Sequence, residues 1–429
     1  MKTRKVYIKT FGCQMNEHDS ERMLGIFCSK GFFEVEEPKD ADVIVFNTCA
    51  IRQKAEHKFF SSLGRVKHLK RKNPNLKIIV AGCIAQLRGE KIFNFAPYVD
   101  YVIGPDNINY LTEILNGKIS NKVLISENPE IAKINLPVLR KNLVKAWVNI
   151  IYGCNNFCSY CIVPYTRGRE RSRPSESIIN EIKILAEQGY KEVTLLGQNV
   201  NSYRDGDIDF PELLKRINEI EGIERIRFIT SHPKDLSKKL INTMMSCEKI
   251  CEHIHLPLQA GSDKILKLMN RKYTYEEYLE KIMWLRQLIP NISITSDIIV
   301  GFPQETDEDF NKTIDALKEI QFDGIFAFKF SSRPGTAAAK LDGHLPEEVK
   351  AFRLAEVLKL QDEITEIKNK FLEGSIQEIL IEGKDEEGFT IGRTRTNKVV
   401  KIIKDLAPGK IIKVKIIKGH RHSLEGEII

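Results

Sequence analysis

No run of apolar residues approaches membrane-spanning length, which excludes an integral helix that crosses a bilayer. Met1 to Thr10 also lacks the apolar stretch of a secretory signal, passing from basic residues straight into a strand-like pattern. Low-complexity tracts and long internal repeats are missing, and with them solenoids and disordered arrays. Cysteine is sparse and odd in number, nine in 429 residues. That argues against a secreted disulfide framework and for metal binding or redox chemistry. A cytoplasmic protein with no membrane partner is expected.

The composition that remains is 42% hydrophobic and 29% charged, as in a soluble globular protein. At about 150 residues per domain the length allows roughly three domains. The net charge of +8 is unevenly spread. Gly392 to Arg421 holds ten Lys or Arg against one acid, and Ile51 to Asn73 holds eight against one. Single runs of this kind are often solvated faces. Two of them in separate domains point to an RNA-sized polyanion.

Along the chain the pattern is α/β and multidomain. Strand patterns at Lys5 to Gly12, Asp42 to Cys49, Lys77 to Cys83 and Tyr101 to Gly104 alternate with helical ones at Glu17 to Gly31, Ile51 to Lys72 and Gln86 to Phe95. This predicts an amino-terminal parallel sheet covered by helices, over residues 1–118. Asn116 to Lys145 is polar and aperiodic, and a linker is expected over 119–139.

Six β/α units follow, with strands near Trp147 to Tyr152, Glu192 to Gly197, Arg225 to Ser231, His253 to Pro257, Ser293 to Gly301 and Gly324 to Ser331. Thr274 with Glu277 and Thr306 with Asp309 have the spacing of helix-start boxes. Six units with right-handed crossovers predict an open partial (β/α)6 barrel over 140–370, ending in one long helix from Leu345 to Leu372. In 371–429, short β-rich runs at Gln377 to Glu382, Phe389 to Arg395, Val399 to Ile403 and Ile411 to Ile417 predict a small all-β barrel of a kind that binds oligonucleotides.

Cys154, Cys158 and Cys161 form a C-x3-C-x2-C run in the loop after the first barrel strand. Thiolates clustered in a loop are soft ligands for iron–sulfur clusters or zinc. Three ligands leave one iron of a four-iron cluster open to substrate, whereas zinc wants a fourth ligand and no His or fourth Cys stands near at ligand spacing. Reactive groups of parallel β/α folds gather at the carboxyl ends of strands, and this loop leaves such an end.

By the same rule Cys13, Cys49 and Cys83, each at or just past the end of a predicted parallel strand, face one sheet edge. Far apart in sequence, they are brought together only by the fold, as a second three-thiolate site. The alternative is three small buried residues. Cys28, among Leu24, Phe27 and Phe32, reads as core, and Cys247 with Cys251 as structural thiols.

Cys154-Asn-Asn-Phe-Cys158-Ser-Tyr-Cys161 resembles the signature of radical S-adenosylmethionine enzymes, with Tyr160 before the last Cys. The whole chain resembles the methylthiotransferases of that superfamily, which carry an amino-terminal domain, a radical core and a terminal TRAM domain. Thr10-Phe-Gly-Cys-Gln-Met-Asn-Glu-His-Asp-Ser20, Asn47-Thr-Cys-Ala-Ile-Arg52 and Pro164-Tyr-Thr-Arg-Gly168 are most similar to the subgroup acting on N6-dimethylallyladenosine of transfer RNA.

The resemblance implies two four-iron four-sulfur clusters and S-adenosylmethionine as cofactors, and replacement of hydrogen on adenine carbon 2 by a methylthio group. That carbon–hydrogen bond is not polarised enough for a side-chain acid or base, so a cofactor must open it. By resemblance, the cluster on Cys154, Cys158 and Cys161 cleaves S-adenosylmethionine to a deoxyadenosyl radical. The cluster on Cys13, Cys49 and Cys83 carries the sulfur. Tyr160, Gly197, Gln198, Asn199, Ser231, His232 and Gln259, at or after strand ends, are candidate S-adenosylmethionine contacts, although polar residues there also serve as helix caps. Among Arg167, Arg169, Arg171 and Arg173, one or two are expected to pair with phosphates or the cofactor carboxylate and the rest to be solvated.

The implied partners are the transfer RNA anticodon stem-loop, an electron donor and a donor of sulfur or iron–sulfur cluster, with the enzyme a monomer. Competing readings are methylthiolation of threonylcarbamoyl adenosine or of a ribosomal protein aspartate, and a non-catalytic iron–sulfur RNA-binding protein.

Overall fold

The computed structural model describes residues 4–51 and 53–429. Met1 to Thr3, and Arg52 at the end of the Asn47-to-Arg52 segment, lie outside the described residues.

The amino-terminal domain is a parallel sheet of six strands in the order Phe32–Glu34, Arg4–Thr10, Val43–Thr48, Lys77–Gly82, Tyr101–Ile103 and Val123–Leu124. The four expected strands are present. Phe32–Glu34 is too short to show a period, and Val123–Leu124 lies inside the segment read as linker. The central Val43–Thr48 strand is buried at every position, as a strand covered on both faces must be. The expected helix from Ile51 to Lys72 divides into Gln53–Arg65 and Lys67–Lys72, around Gly64 and Val66, both poor helix formers. The helix expected at Gln86 starts earlier, at Cys83, and breaks at Gly89.

The six barrel strands are Lys145–Asn149, Glu192–Leu196, Arg225–Phe228, His253–His255, Ser293–Val300 and Gly324–Lys329. They form two three-stranded parallel sheets, joined by the parallel bridge Ile226 to Ile250. Nothing pairs the last strand with the first among the described residues, so the barrel is open. Both helix-start boxes form, at Thr274 with Glu277 and at Thr306 with Asp309. The long helix runs Glu347–Lys370.

The tail is a closed five-stranded barrel of Ile376–Lys384, Thr390–Thr394, Val399–Ile402, Leu424–Ile428 and Ile411–Gly419. Leu424–Ile428 lies beyond the four expected runs, because Gly426 and two glutamates weaken its strand signal. Its core is Ile379, Ile381, Val400, Ile402, Val414, Ile416 and Leu424, each contributing about 1.5–3 kcal/mol relative to exposure.

The two outer domains grip opposite ends of the open barrel. At the amino ends of the strands, Arg225 donates to Arg393 O at 2.7 Å and Arg227 to Thr394 O at 2.7 Å, while Lys145 pairs with Glu382 at 3.1 Å. At the carboxyl ends, Arg171 meets Asp106, Arg333 meets Glu56, and Arg167 meets Asp19 at 2.8 Å. The cysteine loop therefore faces the amino-terminal sheet, and the terminal barrel closes the far end.

Candidate active site

Cys13, Cys49 and Cys83 gather where three strands end. Cys13 caps the helix Gln14–Ser29, Cys49 follows the Val43–Thr48 strand, and Cys83 opens the helix Cys83–Arg88. Asn16 and Asn47 lock these ends together. Asn16 Nδ2 donates to Asn47 Oδ1 at 3.1 Å and to Thr48 O at 3.0 Å, Asn47 Nδ2 donates to Asn16 O at 2.7 Å, and the Cys13 thiol donates to Asn16 Oδ1 at 3.4 Å. Gly12, at φ +129°, lets the backbone pass against Cys49, since a Cβ there would lie 2.4 Å from Cys49 Cβ and 3.0 Å from its sulfur.

Charge couples the three thiols. The hydrogen bond from the Cys49 thiol lowers Cys13 to about 6, helped against burial by the charge of Arg167. Cys49 is pushed up by that same hydrogen bond and by burial, and Cys83 by burial.

The second triad is tied to the first through the chain itself. Ile162, next to Cys161, packs in the same apolar cluster as Phe11, Phe46 and Cys83. Five residues further on, Arg167 reaches Asp19 and hydrogen-bonds Cys83. Cys154 and Cys158 are buried and Cys161 partly so. Burial raises Cys154 to about 11, and burial with the charge of Cys158 raises Cys161 to about 12. A positive metal core held by Cys154, Cys158 and Cys161 would remove that penalty, because coordination would hold the sulfurs as thiolates. All nine cysteines are free of disulfides. Among the described residues no three His, Cys, Asp or Glu side chains close around a single ion; a four-iron cluster instead takes one thiolate per iron at separate corners.

The carboxyl ends of the barrel strands carry polar atoms that are buried without a partner among the described residues: Gln198 Nε2, Asn199 Oδ1, Ser231 Oγ, His232 Nε2, Gln259 Oε1 and both amide atoms of Asn149. Such atoms are expensive unless a ligand meets them. His232 is neutral, lowered to about 2 by burial and by Arg271. Its Nδ1 accepts from Lys234 N at 3.2 Å, so the proton sits on Nε2, which faces the site as a donor. Gln198 Oε1 accepts from Gly153 N, just before Cys154, and Asn199 Nδ2 donates to Asp235 at 2.8 Å. Gln259 holds a positive φ of 77°. A mixed set of donors and acceptors beside an open-iron loop fits a zwitterionic ligand such as S-adenosylmethionine.

Residues 5–104 match the Uncharacterized protein family UPF0004, 148–317 the Radical SAM superfamily and 364–429 the TRAM domain. The chain is 74% identical over 429 residues, the whole of both chains, to the tRNA-2-methylthio-N(6)-dimethylallyladenosine synthase of Thermodesulfovibrio yellowstonii. The chain belongs to the tRNA-2-methylthio-N(6)-dimethylallyladenosine synthase family. The synthase of Clostridium botulinum is 50% identical over 99% of this chain and 96% of its own. Among solved structures, the radical S-adenosylmethionine methyltransferase TsrM of Kitasatospora setae shares the fold, with a TM-score of 0.61 and 14% identity over 78% of this chain and 75% of that one.

In this synthase-family chain the arginines after the cysteine loop depart from what the sequence predicts. Three of the four arginines after the cysteine loop are neither solvated nor free for phosphate: Arg167 pairs with Asp19, Arg171 with Asp106 and Arg173 with Glu181. Arg169 lies 4.3 Å over the Phe157 ring and is exposed. Gly197 also packs closely, since a Cβ there would sit 2.2 Å from Ile151 Cγ2. Tyr160 Oη lies 3.3 Å from Arg271 Nη1. Asn149 and Arg271 carry no site signal in the sequence. Asn149 falls inside the expected strand Trp147 to Tyr152 but ends the observed one, Lys145–Asn149, and Arg271 sits in a turn, so the fold alone brings both to the site. Cys28 and Cys247 pack in apolar clusters, and Cys251 is buried beside Arg227.

Proposed function

We infer that this protein is a transferase that modifies transfer RNA, converting N6-dimethylallyladenosine beside the anticodon to its 2-methylthio derivative. Full-length identity of 74% to a synthase of that name carries the reading. S-adenosylmethionine and four-iron four-sulfur clusters are the cofactors. Bound, these groups supply the one-electron chemistry and the sulfur that an unactivated adenine carbon requires.

In this reading Cys154, Cys158 and Cys161 hold one cluster, and Cys13, Cys49 and Cys83 the other. Gln198, by fixing Gly153, sets the position of the first cysteine. Asn149, Ser231, His232, Gln259 and the free amide atoms of Gln198 and Asn199 supply hydrogen bonds to the methionine and nucleoside ends of S-adenosylmethionine, supported by their unpartnered buried atoms. Arg167, between the triads, fixes their relative position.

The TRAM domain binds transfer RNA. The target base must leave its stack to reach a pocket, as sequence-specific RNA recognition generally requires. The proposal includes an external electron donor, a donor of sulfur or cluster, a monomeric state and a cytoplasmic setting. No described helix is long and apolar enough to cross a membrane.

Mass spectrometry of transfer RNA nucleosides from cells lacking the protein tests the function. N6-dimethylallyladenosine should accumulate at the expense of its 2-methylthio form, and the wild-type gene should reverse this. An unchanged 2-methylthio level, or loss of the methylthio derivative of threonylcarbamoyl adenosine instead, would refute it.

A further inference from the structure

Arg271 lies in the turn between the helices Asp263–Leu268 and Tyr275–Leu288 and is 4% exposed. Its guanidinium is spread over four acceptors. Nε donates to Tyr273 Oη at 2.9 Å, Nη2 to Pro257 O at 2.9 Å, and Nη1 to Tyr160 Oη and to Cys158 Sγ, each at 3.3 Å.

Other deeply buried arginines here have a carboxylate partner. Arg167 has Asp19, Arg173 has Glu181, Arg227 has Glu192 and Arg353 has Glu305. Arg271 has none among the described residues; the ionisable groups that could carry negative charge beside it are Tyr160, Tyr273 and Cys158. A guanidinium cannot shed its proton in a protein, and a buried cation without a counter-charge is strongly destabilising. Among the described residues, the group of opposite charge within reach of its Nη1 is the Cys158 sulfur at 3.3 Å, once that sulfur is a metal-bound thiolate.

We propose that Arg271 is the built-in counter-charge of the cluster on Cys154, Cys158 and Cys161 and eases its reduction. The inference rests on the ligand assignment above. In the step concerned, one electron passes from an external low-potential donor to the cluster, adding one negative charge to the site while no bond forms or breaks. A fixed cation 3.3 Å from a ligand sulfur attracts that charge through a medium of low dielectric, and net charge with hydrogen bonds to sulfur sets the potentials of such clusters. Arg271 is a positioning residue that acts through Cys158. A purely structural role, tying Tyr273 to the Pro257 turn, predicts no change of potential.

The test uses reconstituted full-length protein carrying Cys13→Ala, Cys49→Ala and Cys83→Ala, so that only the cluster on the remaining triad reports. Dithionite is the donor, and the reduced cluster is followed by electron paramagnetic resonance at controlled potential. Arg271→Gln should lower the reduction equilibrium constant about tenfold, moving the midpoint about 59 mV more negative for one electron. Arg271→Lys, which keeps the charge, should stay within about threefold of the parent at equal iron content. A midpoint unmoved in Arg271→Gln with full iron overturns the inference. Should Arg271→Gln fail to hold iron, a tenfold drop in fully loaded Arg271→Lys overturns it equally. A parent protein with no reducible cluster overturns the ligand assignment itself and this inference with it.

Discussion

Arg167 Nη2 stands 2.8 Å from Asp19 Oδ2, with side chains only 5% and 2% exposed, although 148 residues separate them. The pair crosses from the radical core into the amino-terminal domain beside Cys13 and Cys83. It is the electrostatic pin between the two cysteine triads.

Removing Asp19 leaves Arg167 buried without its carboxylate, and removing Arg167 leaves Asp19 with only the longer 3.8 Å contact to Arg22. Asp19→Asn or Arg167→Met should each lose about 3–5 kcal/mol of interdomain stability. The double variant should lose much less than the sum, because neither charge is then stranded. Urea unfolding of the four proteins checks this. Additive losses would show that the pair does not act as one unit.

The two triads should separate by iron and by product. Replacing Cys154, Cys158 and Cys161 by Ala should leave about one cluster's worth of iron and abolish deoxyadenosine formation. Replacing Cys13, Cys49 and Cys83 should also leave about one cluster but preserve deoxyadenosine while the methylthio product disappears. Unchanged iron in either variant would remove that triad as a ligand set.

The basic tail is less free than its sequence implies. Arg393, Arg395, Lys398, Lys401 and Arg421 are held by Glu382, Glu252, Asp323, Asp385 and Asp362. Lys404, Lys410, Lys413, Lys415 and Lys418 are exposed and make no ion pair among the described residues. Replacing these five by Ala should flatten the plot of log affinity for transfer RNA against log salt by about 0.7–0.9 per lost phosphate contact. Unchanged affinity and slope would assign RNA binding to another surface. Truncation at Leu372 is a poorer test, since it strips Arg225 and Arg227 of the carbonyls they bind.

Glu21 should impose a pH dependence on folding. Burial raises its carboxyl to about 7 from 4.5, partly opposed by the charges of Arg140 and Lys141 and reinforced by Glu17. His18 Nδ1 lies 3.8 Å away. A raised carboxyl favours the folded state fully below the unfolded value and loses that contribution as pH rises through the folded one. Glu21→Gln should therefore gain stability relative to the parent between about pH 5 and 8. A stability difference that stays constant across this range would contradict it.

The local chemistry was written in the sequence. The C-x3-C-x2-C spacing confines three thiols to one loop, and strand-then-polar endings place Gln198, Asn199, Ser231 and Gln259 at the carboxyl ends of parallel strands, because alternation of β and α patterns fixes which sheet edge carries the loops. Cys13, Cys49 and Cys83 were legible for the same reason. The partners of charges were not, because an arginine's spacing in the chain carries no information about a carboxylate on another domain. Only tertiary packing gave Arg167 to Asp19, turned arginines expected to meet phosphate, cofactor or solvent into ion pairs with Asp19, Asp106 and Glu181, and left Arg271 against Cys158 with no carboxylate among the described residues. Burial decided these outcomes, since a charge removed from water must find its complement wherever the fold brings one.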